Sequence, residues 1–229
     1  EPRAVAVSFN GTIGVVNKRS ATVSLIDPRT LRIVRTVTLP RGSQPHGLVF
    51  SPDGATGYVA LEGLGQVARF TTANAAVGLP ITVGGTPRHL AIKGDGLYLA
   101  VSKFVTPLQV GEATSNVDVS QGGAEVVAVD LINNSILKTI VLKHSTALDT
   151  AVSSRGVPNY LGAPVVSPDG RSIWVPSKQD NIQRGMLRDG QQLDFQNTVR
   201  AISSRIASTR CASCAGDTKW SVPVVLSWA

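Results

Sequence analysis

One ten-residue stretch returns four times along this chain, and repetition at a fixed period leaves few folds open to it. Pro2–Gly11 (PRAVAVSFNG) aligns with Pro45–Gly54 (PHGLVFSPDG), with Pro87–Gly96 (PRHLAIKGDG) and with Leu161–Gly170 (LGAPVVSPDG). The closing glycines lie 43, 42 and 74 residues apart, so the last interval is one period plus 32 inserted residues. Each copy is an apolar run ending in Asn-Gly or Asp-Gly, the pair that supplies the positive φ of a tight hairpin.

Four short strands are expected per period. The first, strand A, is the repeated stretch itself. Strand B follows at Ile13–Asn17, Gly57–Leu61, Leu97–Ser102 and Ser172–Pro176. Strand C is expected at Thr22–Ile26, Gln66–Phe70, Glu125–Asp130 and Thr198–Ser204, and strand D at Ile33–Leu39, Leu79–Val83 and Ile136–Leu142. Ser221–Trp228, with Trp220 at its edge, is the candidate for a fourth strand D. Twenty-two glycines and 13 prolines against one Met fit an all-β chain and exclude a helical bundle or coiled coil. A sandwich also has many short strands but does not repeat a motif in register. The fold expected is a β-propeller of four-stranded antiparallel blades, about four of them present.

The entry P-x-x-[LVA]-x-[FVI]-S-P-D-G, followed by segments such as Gly57-Tyr58-Val59-Ala60, resembles the YVTN-type β-propeller repeat. Val166-Ser167-Pro168-Asp169-Gly170 through Trp174–Asn181, then Arg184-Gly185 to Arg205-Ile206, is similar to propellers joined to c-type cytochrome domains of the di-haem peroxidase kind. The resemblance spans residues 1–206 and leaves 207–229 as a tail. It implies a periplasmic or other extracytoplasmic setting and a protein partner, a c-type cytochrome domain carrying haem c, with no cofactor in this chain. Such propellers usually close seven blades, which takes roughly 290 residues at this period. Without its insertion the chain holds about 4.6 periods. An open four-bladed portion is therefore expected, its edges covered by missing blades or a partner.

Charge narrows the partners. The net charge of +7 is concentrated: residues 1–45 carry +5, 46–170 carry −2 and 171–205 carry +3. No run of five like charges occurs, and Arg29, Arg32 and Arg35 lack the interleaved aromatics of a single-strand binder, which argues against nucleic acid. No stretch of 18 apolar residues is present, so no helical membrane span is expected. The sequence starts at Glu1 without a Met or a signal peptide, as a processed product or a fragment would.

The added length is not spread evenly. Lys103–Ala124, His144–Tyr160 and Ser177–Asn197 lengthen B-to-C or D-to-A connections, which the up-and-down path of a blade puts on one face. Long loops in a compact repeat usually carry function, so this face is the candidate recognition surface. The repeat also places Arg3, His46 and Arg88 at equivalent positions before the innermost strand, as a ring suited to an anionic ligand or acidic partner. The alternative is that they join blades by hydrogen bonds to neighbouring carbonyls. His89 is expected to pack on the opposite side of its strand and His144 to be exposed. In the last insertion Lys178, Asp180, Asn181, Arg184 and Arg188 could dock haem propionates or an acidic surface, or simply form solvated ion pairs. Three dispersed histidines offer no metal site, and Asp180-Asn181 is too short for a Ca²⁺ loop.

Cys211 and Cys214 form a C-x-x-C followed by Ala215. Covalent haem attachment needs a His there as axial ligand, so a local disulfide or free thiols are the simpler reading. No nucleophile elbow, zinc-protease motif or phosphate loop is present, and Glu112, Asp118 and Glu125, in or beside one insertion, could supply a carboxylate pair. The chain alone is thus expected to be a non-catalytic binding or scaffold module associated with an electron-transfer partner. The alternative is a lactonase-like hydrolase using His46 and Arg88 at the channel face, as some propellers of related repeat type do.

Overall fold

The structure, a computed structural model, describes residues 1–112, 118–120, 122–146, 155–182, 199–210 and 218–227, with backbone alone for 208–210 and 218–227. It is all-β. Three sheets run in simple chain order: β1 (Pro2–Val7), β2 (Ile13–Asn17), β3 (Thr22–Ile26) and β4 (Ile33–Thr38); β5 (Pro45–Phe50), β6 (Thr56–Leu61), β7 (Gln66–Thr71) and β8 (Ile81–Thr82); β9 (Pro87–Ile92), β10 (Tyr98–Lys103), β11 (Gly123–Asp130) and β12 (Ser135–Lys143). The fourth sheet joins β13 (Val157–Asn159), β15 (Ser172–Asp180), β16 (Val199–Arg210) and β17 (Thr218–Ser227), with β14 (Val165–Val166) also on β15. This is a partial β-propeller of about four blades.

The turns that close β1–β2 and its repeats are longer than two-residue hairpins. Ser8 N–H donates to the Thr12 carbonyl and Ser51 N–H to that of Thr56. The Asx side chain folds into the turn instead: Asp53 Oδ1 accepts from Ala55 N–H, Asp95 from Leu97 N–H and Asp169 from Arg171 N–H. The glycine next to each Asx takes a φ between +68° and +88°, which a side chain would resist.

The chain forms two compact units, Glu1–Ser102 with Val127–Leu137, and Lys103–Val126 with Lys138–Ala229. In the first, alternate residues of each strand point to opposite sheet faces, so the β5–β8 sheet supplies half of two cores. One core combines Val16, Val23, Leu25 and Val37 with Leu48, Phe50, Leu61 and Phe70. The next combines Tyr58, Val67 and Ile81 with Leu90, Leu99, Val101 and Val127. Gly14 is the fitting point of the first core. A Cβ there would stand 2.5 Å from Leu48 Cδ2 and 2.8 Å from Phe50 Cζ.

The second unit departs from the expected plan in two ways. β15 continues to Asp180 instead of stopping at Pro176, and the added length pairs with β13, which arises inside the expected His144–Tyr160 loop. β14 and β13 therefore share the place of one inner strand along β15. β16 extends well past Ser204, and β17 pairs with it from Arg210 back to Ile202. His144, expected to be exposed, is buried at 8%. It directly precedes the Ser145–Gly156 bridge, where the chain is paired rather than free in a loop.

Candidate functional site

His46 and Arg88 come together; Arg3 does not join them. Pro2 pairs with Asn17 and Pro45 with Leu61, so Lys18 and Glu62 are equivalent residues one step beyond those pairs. Glu62 bridges the repeats: one oxygen accepts from Lys18 Nζ at 2.8 Å and the other is paired with the Arg88 guanidinium. All three side chains are at most 20% exposed. Arg3 is paired with Glu1 at 2.7 Å, both nearly half exposed.

His89 was expected to pack away from this position, yet its ring meets His46 edge-to-face at 5.0 Å. Gly47 is the reason. A Cβ there would stand 2.5 Å from the Arg88 carbonyl oxygen and 3.1 Å from His89 Cα, so β5 and β9 approach without a side chain between them. The crowding sets the electrostatics. Burial, together with the nearby His89, Arg88 and Lys18, lowers His46 to about 4, and its Nδ1 is buried without a hydrogen-bond partner. Burial and Arg88 lower His89 as well. Burial alone would raise the Glu62 carboxyl, but the hydrogen bonds from Arg88 and Lys18 outweigh it and hold it low. The cluster at neutral pH is thus two cations, one carboxylate and two neutral imidazoles.

A second constellation lies in the other unit, where two of the expected insertions are knitted together. Thr106 N–H donates to Asn159 Oδ1 at 3.0 Å, Thr106 Oγ1 donates to the Pro158 carbonyl and Leu161 N–H to that of Phe104. The Phe104 and Tyr160 rings stack at 4.7 Å and 3°. Lys178 Nζ lies 4.1 Å from the Tyr160 centroid and 2.9 Å from Asp180, whose other contact is Asn159 Nδ2 at 2.8 Å. Lys178 and Asp180 belong to strand β15 and are committed to this internal network, and Asn181 is buried. Beyond the anchors, Leu108 and Val110 are 85% and 77% exposed.

The remaining candidates separate. Glu125 is paired with Lys103, Glu112 accepts from Gln109 N–H, and Asp118 accepts from Ser120, so each carboxylate has its own partner. Arg184, Arg188, Cys211 and Cys214 lie outside the described residues. Among the described residues no cluster of His, Cys, Asp and Glu could hold a metal ion, and no helix is long and apolar enough to cross a membrane.

No protein-family model matches the sequence, and no curated protein matches it. Solved structures share the fold. Hydrazine synthase of Kuenenia stuttgartiensis superposes with a TM-score of 0.56 at 18% identity, over 96% of this chain and 64% of that one. A candidate 6-phosphogluconolactonase from Bacteroides uniformis gives 0.60 at 15%, over 100% and 57%. A protein of unknown function from Desulfotomaculum acetoxidans gives 0.55 at 15%, over 87% and 54%. The chain therefore spans about three fifths of the length of the structures it resembles. At such identities the likeness defines a propeller scaffold and no activity.

Proposed function

We propose that this chain is a non-catalytic propeller module that binds an extracytoplasmic protein partner of the c-type cytochrome class. The observation that carries the reading is the surface made by Val105, Leu108 and Val110. It is apolar and exposed, yet anchored from below by the Thr106–Asn159 and Phe104–Tyr160 contacts. Apolar side chains as exposed as Leu108 and Val110 add little to the chain's own core, and redox partners meet over small patches of this kind. The resemblance of Trp174–Asn181 to cytochrome-linked propellers supplies the partner class. The test is binding of a soluble di-haem c-type cytochrome domain, measured by titration calorimetry. Binding should weaken at least tenfold in a Leu108→Ser, Val110→Ser variant, and equal affinity for the variant overturns the reading.

A second reading, lactone hydrolysis, draws on His46, Arg88 and Glu62 meeting in one cluster. Two features weigh against it. An imidazole near 4 is a weak proton acceptor at neutral pH. Lys18 and Arg88 are both engaged by Glu62 and so are poorly placed to stabilise a developing oxyanion. Turnover of simple lactones by the chain, abolished by His46→Gln, would reverse the preference.

A further inference from the structure

The outward face of the first sheet has the makings of one half of a blade–blade interface. Within the first unit the strand-A residues of one repeat pack against the second strand of the repeat before it. Leu48 and Phe50 fill the space over Gly14, each 7% exposed. Leu90 and Ile92, their equivalents one repeat on, share a core with Tyr58, and Phe50↔Gly57 pairing against Val7↔Ile13 makes Tyr58 the equivalent of Gly14. Size is therefore exchanged across the joint: the larger pair meets glycine, the smaller pair meets tyrosine. Charge is exchanged beside it, because Arg88 reaches back to Glu62 on the preceding repeat.

Val5 and Val7 hold the positions of Leu48 and Phe50, and by the repeat in the sequence Arg3 holds that of Arg88. Both valines are 65% exposed, whereas Ala4 and Ala6 on the other side of β1 pack into the core. Arg3 is turned onto Glu1 at the surface. We infer that Arg3, Val5 and Val7 form a docking surface for a further four-stranded blade of the same repeat, one with a bulky aromatic at the Gly14 position and a carboxylate at the Lys18 position. Small valines call for a large residue opposite, and an arginine at this joint calls for an acid. The second sheet of this chain has that pair, Tyr58 and Glu62. The fourth sheet has Trp174 and Lys178 at the same places, by the Val166↔Ile173 pairing. It would set a lysine against Arg3, so the fourth sheet of a second copy is a mismatched occupant.

The test duplicates residues 43–85 directly ahead of Glu1, which puts Pro2 in the place of Pro87. A Val5→Cys variant of the original chain and of this fusion is labelled with a thiol reagent and read by peptide mass at position 5. The fusion should label at least tenfold more slowly, and Glu62→Lys in the added copy should return most of that rate. A second measurement guards against a misfolded addition: Val5→Asp with Val7→Asp should leave the Tm of the original chain within about 1 °C and lower that of the fusion by several degrees. Equal labelling together with an unchanged Tm overturns the inference. Protection of position 5 that rises with the concentration of the unfused chain assigns the face to a second copy and overturns it equally.

Discussion

At the scale of single residues, Glu62 and His46 govern the joint between repeats. Glu62→Gln leaves Lys18 and Arg88 facing each other with no carboxylate between them, in a place where their side chains are about one-fifth exposed. A loss of about 1–2 kcal/mol in urea unfolding is expected, below the full cost of a buried orphaned charge because water still reaches the edge. His46 adds a pH dependence of opposite origin. Its folded value, about 4, lies below the ordinary 6.5, so between these limits the unfolded chain binds more protons than the folded one. Stability should rise from pH 4 towards 6.5 on this account, and urea midpoints of His46→Gln should rise less steeply over that window. Of this cluster, His46 and Arg88 were legible in the repeat. Glu62 and Lys18 were not, although both directly follow strand B, because a charged residue past a strand looks like any solvated one until the register is known. The orientation of His89 depended on Gly47, whose missing side chain matters only once two strands are seen to touch.

At the scale of elements, strand positions followed from alternation and the Asx-Gly punctuation, and the inner strands of the first sheets begin and end close to where the pattern puts them. The insertions were harder. Residues 144–160 have no strand-like alternation, and β13 forms because β15 offers it an unpaired edge, which is a tertiary cause. Two substitutions probe these joints. Gly47→Ala should cost about 2 kcal/mol or more, since its methyl would meet the Arg88 carbonyl, which belongs to a strand and cannot give way. Thermal melts read that cost. Asn159→Ala removes the acceptor of Thr106 N–H and the donor to Asp180. Hydrogen exchange in 104–110 and 157–161 should then speed up at least tenfold while exchange in β2 and β3 stays as it is.

At the scale of the whole molecule, the net charge of +7 favours an acidic partner. Association with the cytochrome domain named above should therefore slow about tenfold or more between 50 and 500 mM salt, as stopped-flow mixing would show. The off-rate should change far less, because the Leu108–Val110 contact is apolar.

The paired hydrogen bonds between Ser145 and Gly156 have a practical corollary. They close the neck of a segment whose far side enters β13, so the register of β13 on β15 is fixed below the neck. Whatever length of chain joins 146 to 155, these bonds hold its two ends together, and each doubling of that length adds about 0.6 kcal/mol of closure entropy. The neck thus separates the alignment of β13 on β15 from the length of chain between its two ends.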